Sequence, residues 1–430
     1  MSLHFLLTRL RWQLDRNLAL VTAGMRSVRQ RGWRATLAHI PRRLGWGLRT
    51  DLAMLPCGQR HVVIIDAQIP DPTRDSGSVR LLEVFALLQA RGFGIAFAPH
   101  SGTADATERR RLAELGIALI GVNGSSDLPD WLRQRRQDIC GVMLCRHPVA
   151  STHLPLIRQL LPAVPVAFDT VDLHYLRLER AAALGNDPSL QVQARNARHS
   201  ELALVDACNV TYVVSEVEAA VLSAARPHAS IAVLSNIHHL QPPGPGPAQR
   251  CDALFVGGWG HHPNQDAIAW LTGEIWSLVR QSRPQARLHL VGDIPADQAR
   301  QLRLIPGVVV HGRIDTLEPL MAQCRVSVAP LRVGAGVKGK VNSAMSHGLP
   351  VVLTTIAAEG MFIEDGQNAL VADTPGAFAA AICRLLGDDA LWQSLSEGGL
   401  QNVRDHFSPA AADRALAHWL AANTPQEPAH

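Results

Sequence analysis

Two blocks of the chain repeat one rhythm, a short apolar run rich in β-branched residues followed by a stretch with helical spacing. The first block holds HVVIIDAQ (61–68), GIAFAP (94–99), IALIGV (117–122), ICGVMLC (139–145), VPVAFD (164–169), VTYVVS (210–215) and SIAVLS (230–235). The second holds ALFVGG (253–258), RLHLVG (287–292), VVVHG (308–312), VSVAPL (326–331), PVVLTT (350–355) and NALVAD (368–373). Runs this short and this apolar read as strands buried on both faces. Between them, Leu81, Leu82, Phe85 and Leu88 fall on one face of a helix, as do Ile268, Leu271, Ile275 and Leu278. Strand–helix alternation predicts mostly parallel sheets covered by helices on both sides. Further helical stretches over about 375–387, 389–406 and 408–421 close the chain.

The blocks are separated by QPPGPGPAQ, inside a 236–251 segment without periodicity, which reads as a linker. The expected fold is therefore α/β, with two Rossmann-like doubly wound domains facing a cleft. The expected boundaries are a basic helical extension over 1–55, a first domain over 56–240, a second over 241–408, and a C-terminal helix and tail over 409–430. Such sheets bind ligands beyond the carboxyl ends of their strands.

Composition narrows the function classes. Apolar residues make up 47% of the 430 and charged residues 18%, which suits sizeable cores and excludes a disordered chain. Cys57, Cys140, Cys145, Cys208, Cys251, Cys324 and Cys383 are scattered singly with no C-x-x-C pair, which argues for reduced thiols rather than a disulfide frame or zinc site. The histidines show no H-E-x-x-H or comparable ligand spacing, so no metal is expected. No apolar run reaches the roughly 18 residues of a membrane span, and the N-terminus lacks the pattern of a secretory signal. A cytoplasmic protein is expected.

The net charge of +4 is uneven. Residues 1–50 hold ten arginines against the single acid Asp15, so the rest of the chain is net acidic and no basic body exists to wrap nucleic acid. Within that segment Leu3, Leu7, Leu10, Leu14, Leu18 and Val21 share a helical face, with Arg9 and Arg16 opposite. Such a helix suits either a peripheral position on an anionic membrane surface or packing against protein. Arginine outnumbers lysine 39 to 2, and the two lysines, Lys338 and Lys340, stand together in one motif.

That motif, PLRVGAGVKGKVNSAM (330–345), runs from a strand into a helix. Gly334 and Gly336 allow close backbone approach, and the helix beginning near Lys338 turns its free N–H groups toward the loop. With Arg332, Lys338 and Lys340 adding full charges, the loop is a site for an anion, most simply a diphosphate. FVGGWGHHPNQDA (255–267) is a second strand–glycine turn–helix, with Gly257, Gly258 and Gly260 in the turn and Asn264 placed to cap the helix. His261 and His262 fit either phosphate donors or an exposed pair.

From 253 to about 408 the chain resembles the donor-nucleotide domain of glycosyltransferase family 4, a retaining group with the two-domain GT-B fold. The resemblance is carried by FVGGWGHHPNQDAIAWL, ARLHLVGDIP, GVVVHGRIDTLEPLMAQCRVSVAPLRVGAGVKGKV and SHGLPVVLTTIAAEGM, in that order. VVIIDAQIPDPTRDSGSVR and PVAFDTVDLHYLRLERAA resemble acceptor domains of a bacterial surface-polysaccharide branch. The resemblance implies that Lys340 and Lys338 hold the donor diphosphate, with Arg332 beside them, and that Gly257 and Gly258 face the phosphates. It implies that Gly312 to Asp315 form the edge under the base. It places His174 near the transferred sugar, and Asp75, Ser76 and Gly77 on the acceptor side. Asp169 and Asp172 are assigned to capping or bracing, and Tyr175 to packing between domains.

One departure stands out. Where the family carries two glutamates eight positions apart, the second on the ribose hydroxyls, this chain has Ala335 and Ser343. A deoxyribose donor such as a dTDP-sugar would need that carboxylate less; the other explanation is lost turnover, leaving a non-catalytic glycan- or partner-binding subunit. Glu359 of AAEGM is placed to supply a carboxylate from the neighbouring loop. The implied activity is transfer of a sugar from a nucleotide-sugar, a co-substrate needing no metal or other cofactor, to a lipid-linked surface-glycan precursor at the inner face of the plasma membrane.

Overall fold

The computed structural model describes residues 55–72, 76–122, 127–185, 188–334 and 336–421. The basic N-terminal segment, Asp75 and Ala335 lie outside them. Every expected strand is present, most of them trimmed by one to four residues where the chain turns away from its neighbour. They form two parallel sheets, each the centre of its own unit.

In the first unit the order is β1 (His61–Asp66), α1 (Ser76–Ala90), β2 (Gly94–Pro99), α2 (Ala106–Glu114), β3 (Ala118–Leu119), α3 (Leu128–Gln134), β4 (Ile139–Cys145) and α4 (His147–Leu160). It continues with β5 (Val166–Asp169), α5 (His174–Gly185), α6 (Pro188–Ala207), β6 (Val210–Val213), α7 (Glu216–Ala225) and β7 (Ile231–Val233). The strands run β3-β2-β1-β4-β5-β6-β7 across the sheet, reversing direction of growth between β1 and β4. Val62 to Ile65 are wholly buried, as a strand covered on both faces requires. Each such side chain contributes about 1.5–3 kcal/mol through burial.

The second unit holds β8 (Cys251–Val256), α8 (His262–Trp270), α9 (Trp276–Ser282), β9 (Leu288–Val291), α10 (Ala296–Leu302), β10 (Val308–Gly312), α11 (Glu318–Gln323) and β11 (Cys324–Ala329). Then come α12 (Gly339–Ser346), β12 (Val351–Leu353), α13 (Thr355–Ala358), β13 (Leu370–Val371), α14 (Pro375–Leu385), α15 (Asp389–Asn402) and α16 (Pro409–Ala421). Its sheet runs β10-β9-β8-β11-β12-β13, with the same reversal between β8 and β11. One wide helical turn, Leu271–Ile275, joins α8 to α9 and makes the expected 264–280 helix a single helical run.

The second unit comprises Val214–Val217 and Ser235–Arg414. From Ala415 the last helix belongs to the first unit, where Ala415 O accepts a hydrogen bond from the Tyr212 hydroxyl at 3.2 Å. The Trp419 ring lies so close over Gly141 of β4 that a Cβ there would meet it at 2.8 Å. The C-terminal helix, expected to stand apart with the tail, thus completes the first unit's core.

Candidate functional site

In the second unit three strand ends meet through glycine backbones. The Gly257 N–H donates to Val291 O at 2.8 Å, and the Gly292 N–H donates to Gly312 O at 2.9 Å. A Cβ on Gly292, whose φ is +149°, would lie 2.2 Å from Gly257 O, so the ends of β8 and β9 touch only because position 292 has no side chain. Gly312 therefore lies beside the Gly257–Gly292 contact, and exposed Asp315 follows in the loop. Gly292 was not singled out in the sequence. Its signal was a glycine closing a strand at the place where Gly257 follows β8.

Asn264 joins this edge to the lysine loop. Its Nδ2 donates to Gly258 O at 3.0 Å, and its Oδ1 accepts from Lys340 Nζ at 2.7 Å. The expected capping role is corrected: Asn264 is the third residue of α8, and His261 occupies the N-cap without a side-chain cap bond. The carboxamide fills the hollow over Gly257, where a Cβ would meet it at 2.8 Å. The site lysine is thereby oriented by the glycine turn itself.

Lys340 is the second residue of α12, and its Nζ lies 4.7 Å from the centre of the Phe255 ring of β8. Burial, with the neighbouring Lys338 charge as the second cause, lowers its pKa to about 7. Lys338, buried at the N-cap of α12, donates its Nζ to Gly336 O and its backbone N–H to Met361 Sδ. Gly334 and Gly336 have φ values of +139° and +71°, and a Cβ on either would enter open space. The loop thus leaves space open beside its glycines and carries two ammonium groups next to the first N–H groups of α12, charges that attract an anion.

Arg332 departs from the expectation. It is exposed, paired with Asp266 of α8 at 2.5 and 3.0 Å, and stacked 5.3 Å over Trp270. Its charge is met by a carboxylate, so the expected trio of cations reduces to the two lysines. Ser343, half-buried on α12, has a carbonyl that accepts from Ser346 Oγ and His347 Nδ1, both at 2.8 Å. Glu359 follows α13, and its neighbour Gly360 would place a Cβ 3.9 Å from Val337, so the AAEGM loop lies against the lysine loop. His261 and His262 are exposed at the start of α8.

In the first unit His174 opens α5. Its Nδ1 lies 2.7 Å from Arg177 Nη2, and its ring stacks on His147 with centroids 5.8 Å apart. Burial pulls the His147 pKa down to about 4. Asp169 is a brace: both its oxygens bind Arg80 of α1, at 2.7 and 2.9 Å, and both residues are buried. Asp172 pairs with Arg177 at 2.9 Å. Tyr175, expected between domains, lies instead in the first unit's core with Arg198 5.9 Å over its ring. Ser76 and Gly77 are the first residues of α1. The strand-end pair Asp66–Arg146, at 2.8 Å, was not foreseen. Arg146 has φ +69°, and no local pattern announces which acid such a residue meets. Among the described residues no three His, Cys, Asp or Glu side chains are arranged to hold a metal ion. No described helix is long and apolar enough to cross a membrane.

Residues 250–388 match the family Glycosyl transferases group 1. A lipopolysaccharide core biosynthesis glycosyltransferase, LpsE of Rhizobium meliloti, is 27% identical over 184 residues, covering 42% of this chain and 52% of that protein. An uncharacterized protein in the cps region of Klebsiella pneumoniae is 26% identical over 141 residues, covering 31% of this chain and 36% of the relative. The matches therefore span about a third to a half of these relatives' lengths. Among solved structures, Anabaena Alr3699/HepE in complex with UDP and glucose superimposes with a TM-score of 0.62 at 14% identity, covering 84% of this chain and all of that one. The two-sheet fold is thus the GT-B fold.

Proposed function

We propose, from a second unit that is a group 1 glycosyltransferase domain in a GT-B fold, that this chain transfers a sugar from a nucleotide donor to a surface-glycan precursor. The observation that carries the reading is the Lys340–Asn264–Gly258 link, which brings the sequence's lysine motif and glycine turn side by side and so supports reading them as one anion site. Breaking the sugar–diphosphate bond builds negative charge on the leaving oxygen, and fixed ammonium and N–H groups stabilise it. In this reading the chain needs no resident metal, because its own cations meet that charge. Retention of configuration follows the family resemblance. The lipopolysaccharide and capsule settings of the two relatives support a surface-glycan acceptor. A lipid-linked acceptor and a peripheral position at the inner membrane face rest on the arginine-rich residues 1–50.

Ser343 in place of the ribose-binding glutamate favours a deoxyribose nucleotide. Donor hydrolysis and transfer are measured with UDP-, GDP- and dTDP-sugars. Highest kcat/KM for a dTDP-sugar is expected; preference for a UDP-sugar would reject the deoxyribose assignment. No turnover of any donor would support the second reading, a non-catalytic glycan- or partner-binding subunit, which Ser343 also favours.

The Lys340 pKa gives a separate expectation. A bound diphosphate raises it from about 7, because opposite charge favours the protonated form. Calorimetric titration of a nucleoside diphosphate at pH 8, in buffers of different ionisation enthalpy, is expected to show uptake of about one proton per binding event. Uptake falls toward zero at pH 6, where the amine already carries its proton. Equal proton balance at both pH values would show that Lys340 does not meet the ligand.

A further inference from the structure

The turn that ends β8 has its carbonyls taken up by α8. Asn264 Nδ2 donates to Gly258 O at 3.0 Å, and the next residue, Gln265, donates its Nε2 to Trp259 O at 2.6 Å. The His261 N–H shares Gly258 O at 3.4 Å, and the Trp259 N–H donates to Asp293 O at 3.0 Å. The turn is therefore tied to its own helix and to the segment after β9, and Asn264 is buried against it.

The chemistry of a carboxamide decides what its other end offers. A backbone carbonyl only accepts, so the NH2 side of Asn264 faces Gly258 O, and Oδ1 is the acceptor turned to Lys340. An ammonium carries three donors and no acceptor. One of them goes to Oδ1 at 2.7 Å, and the Phe255 ring centre lies 4.7 Å from Nζ, within the range of a cation–π contact. A long side chain is thus held by α8 and β8 together. Aspartate at 264 could not donate to Gly258 O, and leucine, close in size, would make neither bond. The charged and titratable groups around Lys340 are Lys338 at the N-cap of α12, Asp266 paired with Arg332, exposed His261 and His262, and Glu359 after α13. Of these only Lys338 acts on Lys340, adding to the effect of burial, and both disfavour the ammonium. Among the described residues Asn264 Oδ1 is the acceptor that favours it.

We propose that Asn264 is a positioning residue: by donating to Gly258 O and accepting from Lys340 Nζ it fixes the ammonium against the glycine turn and leaves the other two N–H bonds for the donor diphosphate. This rests on the proposed sugar transfer. Asn264→Leu is expected to lower kcat/KM by about 10–100-fold, the scale of a misplaced group at a reacting centre. Because the chain has only two lysines, carbon-13 labelling of lysine in the full-length protein gives two ε-carbon signals, which Lys338→Arg assigns. Titrated without donor, Lys340 is expected to have its midpoint at about pH 7 in the wild type. In Asn264→Asp an opposite charge faces the ammonium, and the midpoint is expected to rise by about 1–3 pH units. In Asn264→Leu the favourable acceptor is gone, and the midpoint is expected to fall below that of the wild type. A merely structural role gives the opposite sign for Leu: loosened packing admits water and moves the midpoint up toward the ordinary lysine value. An Asn264→Asp midpoint equal to the wild type, a raised Asn264→Leu midpoint, or unchanged kcat/KM in a folded Asn264→Leu protein would overturn the proposal. If the wild type turns over no donor, the transfer reading fails by itself, and the two midpoints, measured without donor, still decide the role of Asn264.

Discussion

Lys340→Ala is expected to reduce kcat/KM for sugar transfer by at least about 10²–10³-fold, the usual cost of removing one preplaced donor from a developing oxyanion. The lost ammonium is the one that Asn264 ties to the glycine turn. The other lysine, Lys338, already donates to Gly336 O within its own loop. The fold is expected to survive. The Lys340 pKa is depressed, so the unfolded chain binds the extra proton between about pH 7 and the ordinary lysine value, and stability rises with pH across that window. At neutral pH a charged Lys340 therefore works against folding, and Ala is expected to leave the melting temperature unchanged or slightly raised. Asn264 keeps its bond to Gly258 O in the variant. Arg332→Ala serves as the contrast: its charge is already neutralised by Asp266 at the surface, so its loss of activity is expected to be far smaller. Thermal melts and steady-state kinetics on both variants check this. Full activity in a folded Lys340→Ala protein would refute the site.

Arg80→Ala carries the largest expected stability effect. The guanidinium binds both oxygens of Asp169 and donates twice to Leu234 O, at 3.0 and 2.8 Å, with neither side chain reached by solvent. Burial works against its charge, but Asp169 outweighs that and leaves the Arg80 pKa above its ordinary value. Removing one partner leaves a buried carboxylate alone, a change that costs about 3–5 kcal/mol. Replacing both residues by apolar ones of similar volume is expected to restore much of the loss, since the pair itself repays its own desolvation only in part. Urea unfolding, followed by probes in each unit, is expected to show the first unit's transition moved to lower urea while the second unit's midpoint holds. Equal stability of Arg80→Ala and wild type would show that Asp169 is solvated or otherwise paired.

The alternation of apolar runs and helical spacing was enough to locate every strand, because a strand covered on both faces must be apolar throughout and short. The two lysines of an arginine-rich chain marked the loop proposed to take an anion for a different reason: their rarity set them apart before any neighbour was known. Pairing was not legible. Arg332 reads as a loop cation until α8 places Asp266 beside it. Asn264 reads as a cap until its carboxamide is seen spanning Gly258 and Lys340. Arg80 sits in a helix whose apolar face was legible, but its partners Asp169 and Leu234 lie 89 and 154 positions away. Backbone contacts such as Gly292 against Gly257 are likewise set by the approach of two strand ends, which composition does not encode. The proposal of a membrane position for residues 1–50 stands on sequence alone, because those residues lie outside the described ones.

Everything proposed for the second unit depends on Lys340 binding the diphosphate of a nucleotide donor. A crystal structure of the full chain with a bound nucleoside diphosphate tests it most directly. Phosphate oxygens are expected within about 3 Å of Lys340 Nζ, the distance of a charge-assisted hydrogen bond, and beside the Gly334–Gly336 backbone. A diphosphate bound elsewhere, with Lys340 still donating only to Asn264, would contradict it.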